Sequence, residues 1–369
     1  AADAGNSALK MIVEGVDEPI LIPSVYSEHI EYGIEYGGFE DESVENILDY
    51  LDVTISTHSV MERKRLIIGS KVVRDGLVAD YLPIGAKKSR EPFPLYLILT
   101  GLGAAAIKLH PKKKKIRVEY EGGIALPVTQ ISPEEAAFAE NRLEGSHTLI
   151  FHLPDGDITV DMHISFVKCA PEGAIAAYDL IYDFDGRVKN EDYLNIMIQH
   201  FSIGDGTTEM AVTQGVKYIR QLSRGIKIGV ATPIDNIIHS FNQQYEYELR
   251  SRRHVVDIYL DQNHAHHDRL KKVADPHLRQ LANLLSTQFT NQLRNAQDVS
   301  KIFVHGGGSI ILRDHLKAIM SERGYDLDFS DDPVFTEVRG LMKFVLSPRY
   351  KFFRDKKLQE QETAASEDR

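Results

Sequence analysis

Cysteine is nearly absent: Cys169 is the single one in 369 residues, so no internal disulfide is possible and a reducing cytoplasm is the compartment that fits. Its context, Phe166-Val167-Lys168-Cys169-Ala170, has strand character and predicts a buried, inert thiol rather than a nucleophile. Long apolar runs are also missing. No stretch reaches the ~20 residues needed to cross a bilayer; the longest, Pro94 to Ile107, carries Gly101 and Gly103 and reads as a buried helix. The first motif begins at Asp3, which leaves no room for a signal peptide and predicts that a few residues precede Ala1 in the natural chain. Positive charge is scarce. A net charge of −11 argues against a general nucleic-acid binder, because the phosphate backbone repels such a surface. The only dense basic run, Lys112 to Lys115, lies before the strand-like Ile116 to Tyr120 and reads as a solvated hairpin tip. Neither a membrane nor direct contact with nucleic acid is expected.

What is present is an ordinary globular composition, 43% hydrophobic and 26% charged, over a length that favours two lobes rather than one core. Three stretches rich in small residues stand out. Asp3-Ala4-Gly5-Asn6-Ser7-Ala8-Leu9-Lys10 and Gly204-Asp205-Gly206-Thr207-Thr208 each place small residues where a chain reverses between strands, so that backbone N–H groups can converge on an anion. Phe303-Val304-His305-Gly306-Gly307-Gly308-Ser309 ends a short apolar run in glycines and leads into a helix from Ile310 to Met320. In this order they suggest a nucleotide held between two similar lobes.

Between these motifs the pattern alternates. Strands are expected at Leu9 to Glu14 and Ile20 to Tyr26, then a polar, irregular subdomain over 28–90. A helix over Pro94 to Lys108, the strand Ile116 to Tyr120 and the segment Gly123 to Pro127 follow, with a helix from Pro133 to Arg142 opened by Ser132 and Glu135 at capping-box spacing. Pro154-Asp155-Gly156-Asp157 joins strands His147 to Leu153 and Ile158 to Ile164, and a helix from Ala174 to Phe184 links the lobes. The second lobe has strands Ile196 to Ile203 and Glu209 to Gln214, a polar helical region over 235–275 and a helix from Pro276 to Asn295. His264, His266 and His267 lie close in sequence, but without a thiolate or further histidine pair they read as a solvated helical surface.

These motifs together resemble the actin-like ATPase superfamily and, within it, the ParM-type plasmid-segregation actins. Asp3-x-Gly5-x-Ser7-x-Leu9-Lys10 resembles the family's first phosphate motif, Gly204 to Thr208 its second, and Val304 to Ser309 its adenosine motif. Pro171-Glu172-Gly173 sits where the first interlobe helix begins, and Asp332-Pro333-Val334-Phe335-Thr336-Glu337-Val338-Arg339-Gly340-Leu341-Met342 resembles the closing segment that returns to the first lobe. One departure stands out: Ser202 occupies the position where the family usually has an aspartate, leaving Asp205 or Glu209 as substitutes.

The resemblance implies an α/β, ribonuclease-H-like fold of two lobes, each a mixed sheet with flanking helices, with nucleotide in the interlobe cleft. The first lobe core would take 1–27, 91–190 and 328–369, with 28–90 as its outer subdomain; the second would take 191–234 and 276–327, with 235–275 outermost. The cofactors implied are ATP or GTP with Mg²⁺. Backbone N–H groups of Gly5, Asn6 and Ser7 and of Gly204, Gly206, Thr207 and Thr208 would cradle the phosphates, Lys10 would add a point charge, and Asp3 would hold Mg²⁺ through water. Gly306, Gly307, Gly308 and Ser309 would border the adenosine. Glu172 is the choice for orienting the attacking water, with Asp205 as second catalytic acid; a plainer role for Glu172 is a carboxylate favoured at a helix start. The implied function is a filament-forming ATPase that partners itself and a ParR-type centromere-binding adaptor to segregate plasmid DNA. The alternative is a metabolic kinase of the same superfamily, which would need a general base for a substrate hydroxyl.

Overall fold

Two sheets organise the chain, seen in a computed structural model that describes residues 1–28, 44–83 and 85–367. The first has ten strands, in the order Ile20–Pro23, Ala8–Met11, Ala2–Ala4, Lys115–Leu126, Ile158–Pro171, Gly145–Phe151, Leu51–Thr57, Val60–Ile68, Val25–Glu28 and Asp80–Tyr81. Ala2–Ala4, Lys115–Leu126 and Ile158–Pro171 run parallel at its centre. The second sheet runs Lys217–Tyr218, Thr208–Gln214, Met197–Ile203, Val299–His305 and Asp328–Phe329, with Arg224–Ile226 also paired to Thr208–Gln214. Each lobe has its own apolar core, the first around Leu9, Met11, Leu99 and Phe151, the second around Phe201, Phe241, Leu285 and Phe289. This is the expected two-lobed α/β architecture.

Local chemistry moved several element boundaries. The run from Ile20 is two strands rather than one: the chain breaks at Ser24, whose N–H bonds the Ser7 carbonyl, and the halves go to opposite ends of the sheet. Lys115–Leu126 absorbs both the strand at Ile116 and the segment at Gly123. A Cβ at Gly123 would meet the Leu341 side chain at 2.9 Å, so glycine there lets a helix lie on the strand. Lys112–Lys115 connects a helix to that strand instead of tipping a hairpin, and Lys114 reaches across to the Asp155 carboxylate at 2.9 Å. The helix expected to start at Pro276 is one helix, His267–Asn295, with the proline inside it. Its buried stripe of Leu270, Val273, Ala274, Leu278, Leu281 and Leu285 continues across Pro276 at helical spacing, and that burial outweighs the lost backbone bond.

The region read as an irregular outer subdomain is continuous with the first sheet where it is described. Leu51–Thr57 pairs with Gly145–Phe151, and Ile47, Leu51, Val53, Ile55 and Leu66 join the first core; residues 29–43 and 84 lie outside the described residues. Alternating apolar side chains in Leu51–Thr57 sit on a sheet covered by the helix Pro92–Leu109. That helix is long and apolar enough to cross a membrane, but it is packed into the lobe's core. His267 is buried, with Nδ1 3.2 Å from the Ile258 carbonyl, and His266 stacks on Tyr247, so these histidines are packed rather than solvated. No group of three His, Cys, Asp or Glu able to hold a metal occurs among the described residues. Cys169 is buried, and burial pushes its thiol up, as expected of an inert group.

The chain passes from the first sheet to the second after Pro171 and returns after Phe329. The helices at these passages, Ala176–Ile181 and Thr336–Val345, pack on each other. A Cβ at Gly340 would collide with the Ile175 carbonyl, so the two backbones touch. Beside the crossing, the buried Asp179 carboxylate takes Arg339 through both oxygens and Lys343 at 2.6 Å.

Candidate functional site

The two small-residue turns have matching geometry. Gly5 N–H donates to the Ala8 carbonyl at 3.1 Å, and Gly204 N–H donates to the Thr207 carbonyl at 2.9 Å. A Cβ at either glycine would come within 2.9 to 3.0 Å of that same carbonyl, so each turn is tight enough to require the small residue. Strand register then aims the side chains behind each turn. Asp3 stands opposite Lys10 in the first hairpin, and Ser202 opposite Glu209 in the second.

The turns face a common space. Asn6, Lys88 and Gln130 from the first lobe and Thr207, Glu209, Gly225 and Lys227 from the second line one cavity of about 150 Å³. Gly306 adjoins the second turn, since a Cβ on it would lie 2.5 Å from the Ile203 carbonyl, and its φ of +86° favours glycine. Gly308 is pressed against the Ile203 and Val230 side chains, and Ser309 donates its hydroxyl to the Gly306 carbonyl at 2.7 Å. Those glycines therefore serve packing between strands and helix. Gly307 has open space beside it and caps the helix Gly308–Glu322.

Behind the turns lies a buried set of charges. Lys10 Nζ bonds Asp3 at 2.9 Å, and Lys88 Nζ bonds Glu172 at 2.7 Å. Glu337 accepts from the Ser202 hydroxyl and, at 3.0 Å, from Gly173 N–H. Glu209 is buried with Oε2 free of any hydrogen-bond partner among the described residues. Burial alone would neutralise all four carboxyls. At Asp3 the charges of Lys10 and Lys88 outweigh it and hold the carboxyl below the usual range. At Glu172 burial wins despite Lys88, pushing it to about 7, and at Glu209 burial with the nearby Glu172 pushes it to about 8. Burial, and then Asp3, raises Glu337 as well. Both lysines stay firmly charged: burial lowers each, but Asp3 for Lys10 and Glu172 for Lys88 more than reverse it.

Of the residues expected at the site, Asn6 and Thr207 line this cavity, Asp3, Lys10 and Glu172 belong to the buried charge set behind it, and Gly5, Ser7, Gly204, Gly206 and Thr208 lie in or beside the two turns. Asp205 does not join them. Its carboxylate pairs with Arg252 at 2.8 Å, Arg252 is in turn held by Asp235, and the Asp205 carbonyl bonds Ala231 N–H, so this residue ties the turn to its own lobe's helices. Lys88 and Glu337 escaped the sequence reading. Lys88 sits in an unremarkable lysine pair before a helix; for Glu337 the one available signal was Ser202, a small hydroxyl that can lie against a carboxylate arriving from elsewhere.

The donor set fits a magnesium nucleotide. Both ammonium groups and two sets of turn amides suit phosphate oxygens, and an ionised carboxylate beside them suits a divalent cation. Mg²⁺ keeps most of its water, so one or two carboxylates suffice, and Asp3 is the ionised one beside the first turn.

Comparison with known proteins bears on the family and the fold. The family model for the N-terminal domain of actin-like proteins matches residues 1–174, and that for the C-terminal part of the archaeal MreB-like actin homologue matches residues 201–318. Among solved structures, actin-like protein Alp7A superposes with a TM-score of 0.73 at 13% identity, covering 99% of this chain and 98% of that one. Bacillus thuringiensis ParM with AMPPNP gives 0.67 at 16% identity, covering 94% and 97%. The apo psk41 ParM protein gives 0.63 at 19%, covering 96% and 98%. Comparison with curated protein sequences gives no match.

Proposed function

The chain belongs to the actin-like proteins, and from that premise we propose that it binds Mg-ATP between its lobes, polymerises in that state and hydrolyses the nucleotide to disassemble. The observation that carries this reading is the shared cavity, where Asn6 and Lys88 of one lobe face Thr207 and Glu209 of the other above a buried acid–lysine cluster. Nucleotide bridging both walls favours the closed arrangement, and a closed arrangement presents one fixed set of contacts to the next subunit.

Within this proposal, Glu172 orients the attacking water. A carboxyl poised near neutrality can both accept and return a proton, which is the property a general base requires. The cellular role that fits is movement of plasmid DNA through a ParR-type adaptor, the acidic chain itself making no contact with DNA. Support comes from the likeness to structures described as ParM, one of them with ATP.

Light scattering of the purified chain with Mg²⁺ and ATP, GTP or a non-hydrolysable analogue, run beside phosphate release, tests the reading. A rise with triphosphate followed by decay as phosphate appears is expected. A chain that stays monomeric while phosphorylating a small-molecule hydroxyl would instead establish the kinase alternative.

A further inference from the structure

The cation at Lys88 is the least expected feature of the cleft. Lysine is seldom buried, yet Lys88 keeps only 9% of its surface and lines the cavity between the lobes. Glu172 takes one of its three ammonium protons, and no acceptor for the other two is found among the described residues. A buried ammonium with spare donors calls for an anionic oxygen.

The loop that carries it is heavily braced. Lys88 N–H donates to Gln130 Oε1 at 2.9 Å, and Gln130 Nε2 returns a bond to the Ala86 carbonyl. Ser89 and Arg90 both bind the Glu135 carboxylate, and Arg142 donates to the carbonyls of Ser89 and Glu91. Glu135, placed by the Ser132 cap, thus spends its side chain on this loop rather than on closing a capping box. Such anchoring leaves the side-chain stem as the part free to move. Around its head group stand Glu172, which it bonds, and the buried Asp3 and Glu209.

We infer that Lys88 contacts the terminal phosphate of a bound nucleoside triphosphate, and that its bond to Glu172 loosens when it does. This rests on the nucleotide site proposed above. In the ligand-free chain the ammonium holds Glu172; a terminal phosphate brings negative charge that competes for the same cation. With a diphosphate the competitor is absent and the Lys88–Glu172 bond is restored. Lys88 thereby distinguishes triphosphate from diphosphate.

The test is calorimetric titration of the full chain with Mg-ATPγS and Mg-ADP at fixed ionic strength, for wild type, Lys88→Met and Lys88→Arg. Expected for Lys88→Met is a loss of about tenfold or more in Mg-ATPγS affinity with less than about twofold change for Mg-ADP, as for one charge-assisted bond removed. Lys88→Arg should keep most of the preference. Equal weakening for both nucleotides, or no change in either, overturns the inference while leaving the nucleotide site standing. No binding by the folded wild type removes both. If Lys88→Met alone fails to fold, the neutral pair Lys88→Met with Glu172→Gln carries the same measurement, and retained triphosphate preference there refutes the inference.

Discussion

Replacing Glu209 by glutamine isolates the most strained charge in the cleft. Its carboxyl is 3% exposed, one oxygen has no partner, and burial has pushed it from the usual 4.5 to about 8. A carboxyl raised on folding binds its proton more tightly in the native state, so its stabilising effect is fullest at low pH and fades as the pH climbs through the folded value. From about pH 5.5 to 8.5 such a group removes about 3 kcal/mol from the native state, a slope that glutamine lacks. Glu172 is raised as well, to about 7, so the variant keeps a shallower decline of the same sign. Melting of the nucleotide-free protein across that range should show the two curves separating by on the order of 5 °C at the alkaline end relative to the acid end. A constant offset between them reflects only how the amide packs. Parallel curves would refute the burial argument, because they would mean that the Glu209 carboxyl titrates alike in folded and unfolded chains.

Other substitutions probe the remaining parts. Glu172→Ala should slow phosphate release by about 10²-fold or more while leaving assembly with Mg-ATP intact, so filaments persist longer; an unchanged release rate transfers the water-orienting role to another group. Asp3→Ala should weaken Mg-nucleotide binding by about tenfold or more and release Lys10, measured by titration with and without Mg²⁺; equal affinities count against the proposed clamp. Gly340→Ala should lower stability by about 2 kcal/mol or more, since its Cβ meets the Ile175 backbone rather than a side chain that can turn aside; a melt within a degree of wild type would show that the helices separate freely.

Much of the fold was visible in the residues because it rests on local pattern. Small residues marked both turns, Ser132 opened its helix, and the apolar run at Pro94 became a core helix. What escaped was decided by distant partners. Nothing near Leu51 says that it continues the first sheet, because that depends on Gly145–Phe151 presenting a free edge. Asp205 looked like a site acid until Arg252, far along the chain, claimed its carboxylate. Ser202 looked like a loss, yet its hydroxyl meets Glu337, which local sequence places only in a helix. Side chains whose role depends on burial and charge, such as Lys88, carry no signature in composition or spacing.

The contact of Gly340 with the Ile175 carbonyl, pinned by Asp179 between Arg339 and Lys343, limits how the halves of the molecule can move. Backbones already touching cannot slide past each other, so opening and closing must be a swing about a fixed fulcrum. Small shifts near that pivot would become larger strokes at the far ends of the lobes, the leverage that the proposed nucleotide-driven closure calls for.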